Sequence, residues 1–368
     1  MNKSAVTFPS PSAPSGATLE DIAQAAGVSP RTVSNALNNV GKGLRVDAIK
    51  RAENIRKIAA DLGYRPNGAA RAFSRGTFNA VALLQSTDRH RSFTHPSLLD
   101  AVQKVLDQND LHLTLCRLPD HKLTSHGVVP KLLREYMADG MLINYTDRIP
   151  AKMVDLIESF GLPAIWMNTP RDHDAVYFDE RAAGRLAVEQ VAALGHRSVA
   201  YLDVSHHEAN LASDHYSARE RFIGCHGAAA ELGLDLGCYF REHILPDSVA
   251  DRDQDQADMV RFMKSLLQRD DRPTAVISQT TWPATALAFA AAELGLTPGR
   301  DLSILAFAHD RDRSLGADLP TIHLPFALLG HTAIRMLQER IAQPEQAIAS
   351  QVIAPEFRPS PLLGRVHL

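Results

Sequence analysis

The chain has 368 residues, of which 45% are hydrophobic and 22% charged, values that exclude one small core and fit a soluble protein of two or three domains. No apolar run reaches the roughly 18 residues of a membrane span, and three scattered cysteines, Cys116, Cys225 and Cys238, fit no metal site or disulfide framework. Net charge is −3, but residues 17–76 carry ten Lys or Arg against five Asp or Glu, while 77–368 carry 28 against 37, so a basic head on an acidic body is expected to meet a polyanion.

The stretch 1–16 is rich in Ser and Pro and lacks the apolar core of a secretory signal, so it reads as a disordered tail on a cytoplasmic protein. Thr18 is a helix cap, with Asp21 at the capping-box position. Leu19, Ile22, Ala23 and Ala26 then share one helical face, and Gly27 supplies a left-handed stop. Ser29 caps a second helix that opens on Pro30 and buries Val33, Ala36 and Leu37. After a loop at 40–46, Ile49, Ala52, Ile55, Ile58, Ala59 and Leu62 mark the inner face of a third helix, ended by Gly63. Two helices joined by a short glycine turn are the helix-turn-helix pattern.

Beyond residue 78 the rhythm changes. Short apolar strands are expected at 80–84, 111–116, 140–143 and 164–167, with helices at 97–108 and 131–138 between them. The pattern restarts after Asp179, with helices at 182–193, 218–232 and 284–294 and strands at 198–202, 275–277 and 303–305. Strands alternating with helices predict doubly wound parallel sheets, here in two similar lobes with a cleft between them. Open sheets of this kind bind ligands beyond the carboxyl ends of their strands.

No nucleotide-binding loop, nucleophile elbow or zinc-protease motif is present, and neither an enzyme nor a cofactor is expected. The 16 histidines include His95 and the pair His206-His207, which lack ligand spacing and read as loop residues rather than a metal site.

The run Thr18-Leu19-Glu20-Asp21-Ile22-Ala23, then Gly27-Val28-Ser29 and Thr32-Val33-Ser34-Asn35-Ala36-Leu37-Asn38, closely resembles the head of the lactose-repressor (LacI-type) family of bacterial transcription regulators. Leu62-Gly63-Tyr64-Arg65-Pro66-Asn67 and Ala70-Arg71 resemble its third-helix end and hinge. Asp139-Gly140-Met141-Leu142-Ile143, Ala193-Leu194-Gly195-His196-Arg197, Arg272-Pro273-Thr274-Ala275-Val276 and Leu319-Pro320-Thr321-Ile322 follow in the family order. The resemblance implies an all-α helix-turn-helix head at 17–65, a hinge at 66–78 and a periplasmic-binding-protein-like body at 79–368. Lobe one is then about 79–178 plus 325–343, and lobe two about 179–324 plus 344–368. It also implies a homodimer on a near-palindromic double-stranded operator, tuned by a small-molecule effector, a sugar or sugar acid. A regulator without an effector or with a protein co-regulator is the alternative, and a solute-binding protein a remote one.

Arg31 and Asn35, four residues apart, share a helical face. Arg can pair with guanine and Asn with adenine in the major groove, and the family's base-reading positions fall on Pro30, Arg31 and Asn35. A solvated face with a phosphate-bound Arg31 is the other reading. Ser29, Thr32 and Ser34 are candidate phosphate donors. The resemblance implies that the hinge folds on DNA in the minor groove, and Asn67, Arg71 and Arg75 are its candidate DNA contacts. Phe73 stands where the family places an apolar wedge; anchoring the hinge to the body is its alternative. Arg221 matches the family's effector arginine, with an ion pair as the competing role. Thr280, Thr281 and Ala308 stand where relatives carry polar or acidic sugar clamps. Trp282 and Phe307 are candidates either to stack on a ligand ring or to fill the core.

Overall fold

A computed structural model describes residues 16–38, 46–66, 72, 76–87, 92, 94–118, 137–145, 149–159, 161–212, 215–245, 252–309 and 318–365. The chain divides into two compact units, Met1–Phe78 and Asn79–Leu368.

In the first unit, α1 (Leu19–Ala26), α2 (Pro30–Asn38) and α3 (Val46–Asp61) enclose Ile22, Ala23, Val33, Ile55 and Ala59. The expected capping box is present: Asp21 N donates to Thr18 Oγ1 (3.3 Å), and Thr18 N donates to Asp21 Oδ2 (2.8 Å). Gly27 has φ of 65°, the left-handed turn that ends α1. Thr32 N donates to Ser29 Oγ (3.2 Å), which starts α2. The inner face of α3 is shorter than expected. Ile49 is 38% and Leu62 43% exposed, because a 16-residue helix overruns two partners of eight and nine residues.

The second unit holds two six-stranded sheets. Lobe one contains β1 (Ala80–Ser86), α4 (Pro96–Gln108), β2 (His112–Leu118), β3 (Gly140–Asn144), α5 (Ala151–Ser159), β4 (Ala164–Met167) and β5 (Ala175–Phe178). Lobe two contains α6 (Glu180–Ala193), β6 (Ser198–Asp203), α7 (Tyr216–Leu232), β7 (Asp235–Phe240), α8 (Arg241–Ile244), α9 (Arg252–Leu267), β8 (Ala275–Ser278), α10 (Thr281–Glu293), β9 (Ser303–Ala308) and β10 (Thr321–His323). The chain then returns to lobe one for α11 (Phe326–Ala342) and β11 (Gln351–Ile353), and ends in lobe two with β12 (Glu356–Arg358).

Strand order is β11-β5-β4-β3-β1-β2 in one sheet and β12-β10-β9-β8-β6-β7 in the other. All pairings are parallel except that of β12 with β10. β1, β3, β8 and β9 are buried along their whole length, as helix-covered parallel strands require. The third crossing between lobes corrects an expectation. Gln351–Ile353 pairs with β5, so 344–353 does not belong to lobe two; only the stretch carrying β12 does. The physical reason is edge satisfaction: β11 covers the open side of β5 before the chain leaves. The expected helix at 131–138 and the tail at 1–15 fall outside the described residues.

Helices α6 and α7 lie in backbone contact. A Cβ added at Gly184 would meet the Arg221 carbonyl oxygen at 2.1 Å, and one at Gly224 would meet that of Arg181 at 2.1 Å. No side chain fits such a gap, and its closure sets the first two turns of α6 beside the second and third turns of α7. Alanine at either glycine is therefore expected to destabilise the protein by about 1–3 kcal/mol through overpacking. Gly227→Ala, on the same helix α7 with nothing within 4 Å, is expected to be neutral or stabilising by up to about 1 kcal/mol. Urea unfolding of the three variants checks this ordering.

Candidate nucleic-acid interface and interlobe site

In the head, the cap at Ser29 and the buried Val33 fix the rotation of α2. Arg31 and Asn35 consequently stand exposed, with Pro30 and Ser29 exposed at the helix start. Thr32 and Ser34 are half-buried. Ser29 Oγ and Thr32 Oγ1 lie 2.9 Å apart, hydrogen-bonded to each other. This is a rigid rod presenting one donor fork and one amide, the pair of groups able to read guanine and adenine edges. Asn67, Arg71, Phe73 and Arg75 lie outside the described residues.

In the body, the carboxyl ends of the central strands of both sheets carry polar and aromatic residues at the lobe boundary. Lobe one contributes Gln85, Asn144, Asn168 and His95. Asn144 donates from Nδ2 to Thr94 Oγ1 (2.7 Å), and Gln85 donates to the same hydroxyl. Lobe two contributes Asp203, His215, Arg221, Gln279, Phe307 and His309. Two helices, α4 and α7, each follow the first strand of their lobe, and each is capped by a histidine. His95 Nδ1 accepts from Ser97 N (3.3 Å) and His215 Nδ1 accepts from Ser217 N (3.4 Å). An imidazole that accepts at Nδ1 carries its proton on Nε2. His215 Nε2 accordingly donates across the lobe boundary to the Asn168 carbonyl (3.0 Å), and Tyr216 donates to Asn168 Oδ1 (3.0 Å). Asn168 holds φ of 54°, a left-handed position that asparagine tolerates.

A second set of rings crosses the boundary. His309, just past β9, has its ring 5.4 Å from that of His95 and 4.5 Å from that of Phe326. Its Nδ1 is buried without a hydrogen-bond partner. Neither His95 nor His309 was legible as an interlobe residue, because periodicity says nothing about loops after strands.

Of the two readings of Arg221, the ion pair is the one the structure shows. Arg221 is 5% exposed and Glu180 2%. Arg221 donates from Nε to Glu180 Oε2 (2.5 Å), from Nη2 to Glu180 Oε1 (2.9 Å) and from Nη1 to the Gln279 carbonyl (3.3 Å). Its guanidinium lies 4.8 Å from the centre of the Phe307 ring. Burial pulls the arginine pKa down, but the attraction and hydrogen bonds of Glu180 more than offset this and hold it above the usual range. Three of its five N–H donors are thereby engaged within the protein. Glu180 was missed because a carboxylate two residues after a strand reads as an ordinary helix start.

The other effector candidates separate. Phe307 is 2% exposed, in the core beneath Arg221. Thr280 and Thr281 are half-buried at the start of α10, where Thr285 Oγ1 donates to the Thr281 carbonyl (3.1 Å). Trp282 is 48% exposed, so it does not fill the core. His206 is paired with the fully buried Asp203 at 2.9 Å, which makes it a turn-forming residue rather than a solvated one. Among the described residues no group of three or more His, Cys, Asp or Glu could hold a metal ion, and no helix is long and apolar enough to cross a membrane.

Residues 18–67 match the family described as bacterial regulatory proteins, lacI family, and residues 188–360 match the periplasmic binding protein-like domain. The chain is 27% identical over 349 residues to the HTH-type transcriptional repressor PurR of Mannheimia succiniciproducens, covering 93% of this chain and 97% of that one. It is 27% identical over 342 residues to the ribose operon repressor of Haemophilus influenzae, covering 92% and 96%. Among solved structures, a lac repressor dimer bound to operator and the anti-inducer ONPF superposes with a TM-score of 0.72 at 22% identity, covering 94% of this chain and 99% of that one.

Two imidazoles, the buried His196 and the half-buried His309, give the body a pH response of known sign. Burial holds His309 well below the usual imidazole range, reinforced by Arg221, His95, His323 and His215. Burial also lowers His196, against a smaller opposing effect of the Gly364 carbonyl that its Nε2 meets at 3.0 Å. Each folded value lies below the unfolded one, so the stability these rings confer is present above about pH 6.5 and lost as pH falls through it. The urea midpoint is expected to drop between about pH 7 and about pH 5, and less steeply in His309→Asn. An equal slope in that variant would show that His309 is not among the groups responsible.

Proposed function

Because the chain belongs to the lacI family of bacterial regulatory proteins, we propose that it is a transcriptional repressor whose dimer holds two heads on a near-palindromic operator, with a small polar metabolite in the interlobe cleft setting its DNA affinity. The observation that carries the DNA-binding part is the exposed Arg31 and Asn35 pair on the capped helix α2. Arg31 reads one base pair and Asn35 another, while Ser29, Thr32 and Ser34 position the helix on phosphates. In the hinge, Asn67, Arg71 and Arg75 contact the DNA, the two arginines without sequence preference, and Phe73 wedges a base step. A protein of this kind works in the cytoplasm, where its operator is.

The dimer reading rests on α10. Trp282 and Phe289, 48% and 56% exposed and seven residues apart, give that helix an apolar outer face. A two-fold axis through such a face supplies two heads related by the symmetry of an inverted repeat. The effector reading rests on the polar ends of both sheets, on Thr280 and Thr281 at the start of α10, and on relatives named as repressors of a ribose operon and of PurR type. A regulator with no metabolite is the second reading, favoured by the pairing of Arg221 with Glu180 and the Gln279 carbonyl.

Arg31→Ala is expected to cost about 1–3 kcal/mol at a single base-pair position and relax preference there, whereas Arg71→Ala and Arg75→Ala weaken all sequences alike and flatten the salt dependence. Binding-site selection with each variant separates these outcomes; unchanged base preference for Arg31→Ala makes it a phosphate contact. Trp282→Glu with Phe289→Glu is expected to yield monomers in sedimentation and to lose the inverted-repeat footprint, and a dimer that survives both changes places the subunit contact elsewhere.

A further inference from the structure

The pair formed by Glu180 and Arg221 is placed where it bears on ligand choice. Both groups sit at the carboxyl end of the lobe-two sheet: Glu180 begins α6 directly after the first crossing, and Arg221 lies in the second turn of α7. The Gln279 carbonyl at the end of β8 and the Phe307 ring at the end of β9 hold the guanidinium from the other sides. The remaining fully buried carboxylate of this region, Asp203, is hydrogen-bonded by the Ser205 and His206 amides and the His206 ring. Tyr201 and Tyr216 face the pair with phenols kept neutral, burial pushing both well above their usual range. The charge of Arg221 is thus balanced from within by Glu180.

We infer that Glu180 is the specificity-determining residue of the interlobe site: it occupies Arg221 as an internal anion and so restricts the site to uncharged polar ligands, rejecting carboxylates and phosphates. This rests on the reading of the cleft as an effector site. An incoming anion would have to break two charge-assisted hydrogen bonds and leave the Glu180 carboxylate buried and unmatched beside a second negative charge. A neutral polyol meets no such repulsion. It can donate to the Glu180 oxygens and accept from the remaining guanidinium N–H groups, as each hydroxyl does both. Removing the charge of Glu180 while keeping its shape should therefore open an anion site, because the buried guanidinium then lacks a counter-ion.

The test uses the full chain as wild type, Glu180→Gln, and the double variant Glu180→Gln with Arg221→Gln. Thermal unfolding is followed as inorganic phosphate is raised from about 1 to about 100 mM, so that general salt effects are common to all three proteins. Glu180→Gln is expected to gain stability with phosphate well beyond both others, and its apparent phosphate affinity to exceed theirs by at least about tenfold. A Glu180→Gln protein that folds only when phosphate is added supports the inference equally. If its phosphate response equals that of the double variant, or if it stays unfolded in phosphate while the double variant folds, the inference is overturned. In a second arm the wild type and Glu180→Gln are titrated with glucose, galactose, ribose and the uronates of the two hexoses. Any uronate bound by the wild type more tightly than its neutral parent also overturns it. If no sugar or uronate moves either protein while phosphate singles out Glu180→Gln, the sugar-effector reading falls and the role of Glu180 stands.

Discussion

The contact of α6 with α7 through Gly184 and Gly224 determines more of the body than any single side chain. With each backbone pressed on the carbonyl of the other, the helices cannot rotate independently, so the start of α7 is fixed relative to the first crossing. Three dependent features follow. Glu180 reaches Arg221, His215 caps α7 in reach of Asn168, and Tyr216 closes on both Asn168 and the Phe178 amide at 3.1 Å. A buried ion pair is weak support for stability, because desolvation of both charges cancels much of their attraction. Here the glycine contact provides the placement, and the pair provides the charge balance.

Interlobe contacts are therefore of two kinds. On one side, hydrogen bonds join Asn168 to His215 and Tyr216. On the other, the rings of His95, His309 and Phe326 meet without a hydrogen bond to the His309 Nδ1. The first set is geometrically demanding and the second is not. A ligand that alters lobe closure changes affinity for DNA only through the difference in how it binds the two closure states, and a tenfold effect corresponds to about 1.4 kcal/mol. Losing one of the directed bonds to Asn168 is on that scale.

Much of the fold could be read from residues because its signals are local. Capping residues, left-handed glycines and helical periodicity located α1 and α2, and unbroken apolar runs located β1, β3, β4, β8 and β9. Strands β5, β7, β10, β11 and β12 were missed: β10, β11 and β12 are only three residues long, and the half-exposed edge strand β7 carries no unbroken apolar run. The third crossing was misplaced for the same reason. The exposure of Arg31 and Asn35 could be anticipated since they share one helix face, with burial of Val33 defining the opposite side. The cleft could not, because its decisive contact joins residues 41 apart in sequence. An arginine seen alone in a chain does not reveal which carboxylate will fill it.

The way the chain weaves between its lobes also bears on its synthesis. Lobe one lacks α11 and β11 until residue 353 is available, and lobe two lacks β12 until 358. His196, near the start of lobe two, bonds to the carbonyl of Gly364, 168 residues later. Neither lobe can complete its sheet before β11 and β12 have left the ribosome, and those two strands are neighbours in the chain. The three-helix head has no such dependence and has its whole core within the first 64 residues. Nascent chains will thus pass through a period in which a finished DNA-binding head trails two open-edged half-lobes, the species most exposed to misassociation and to chaperones.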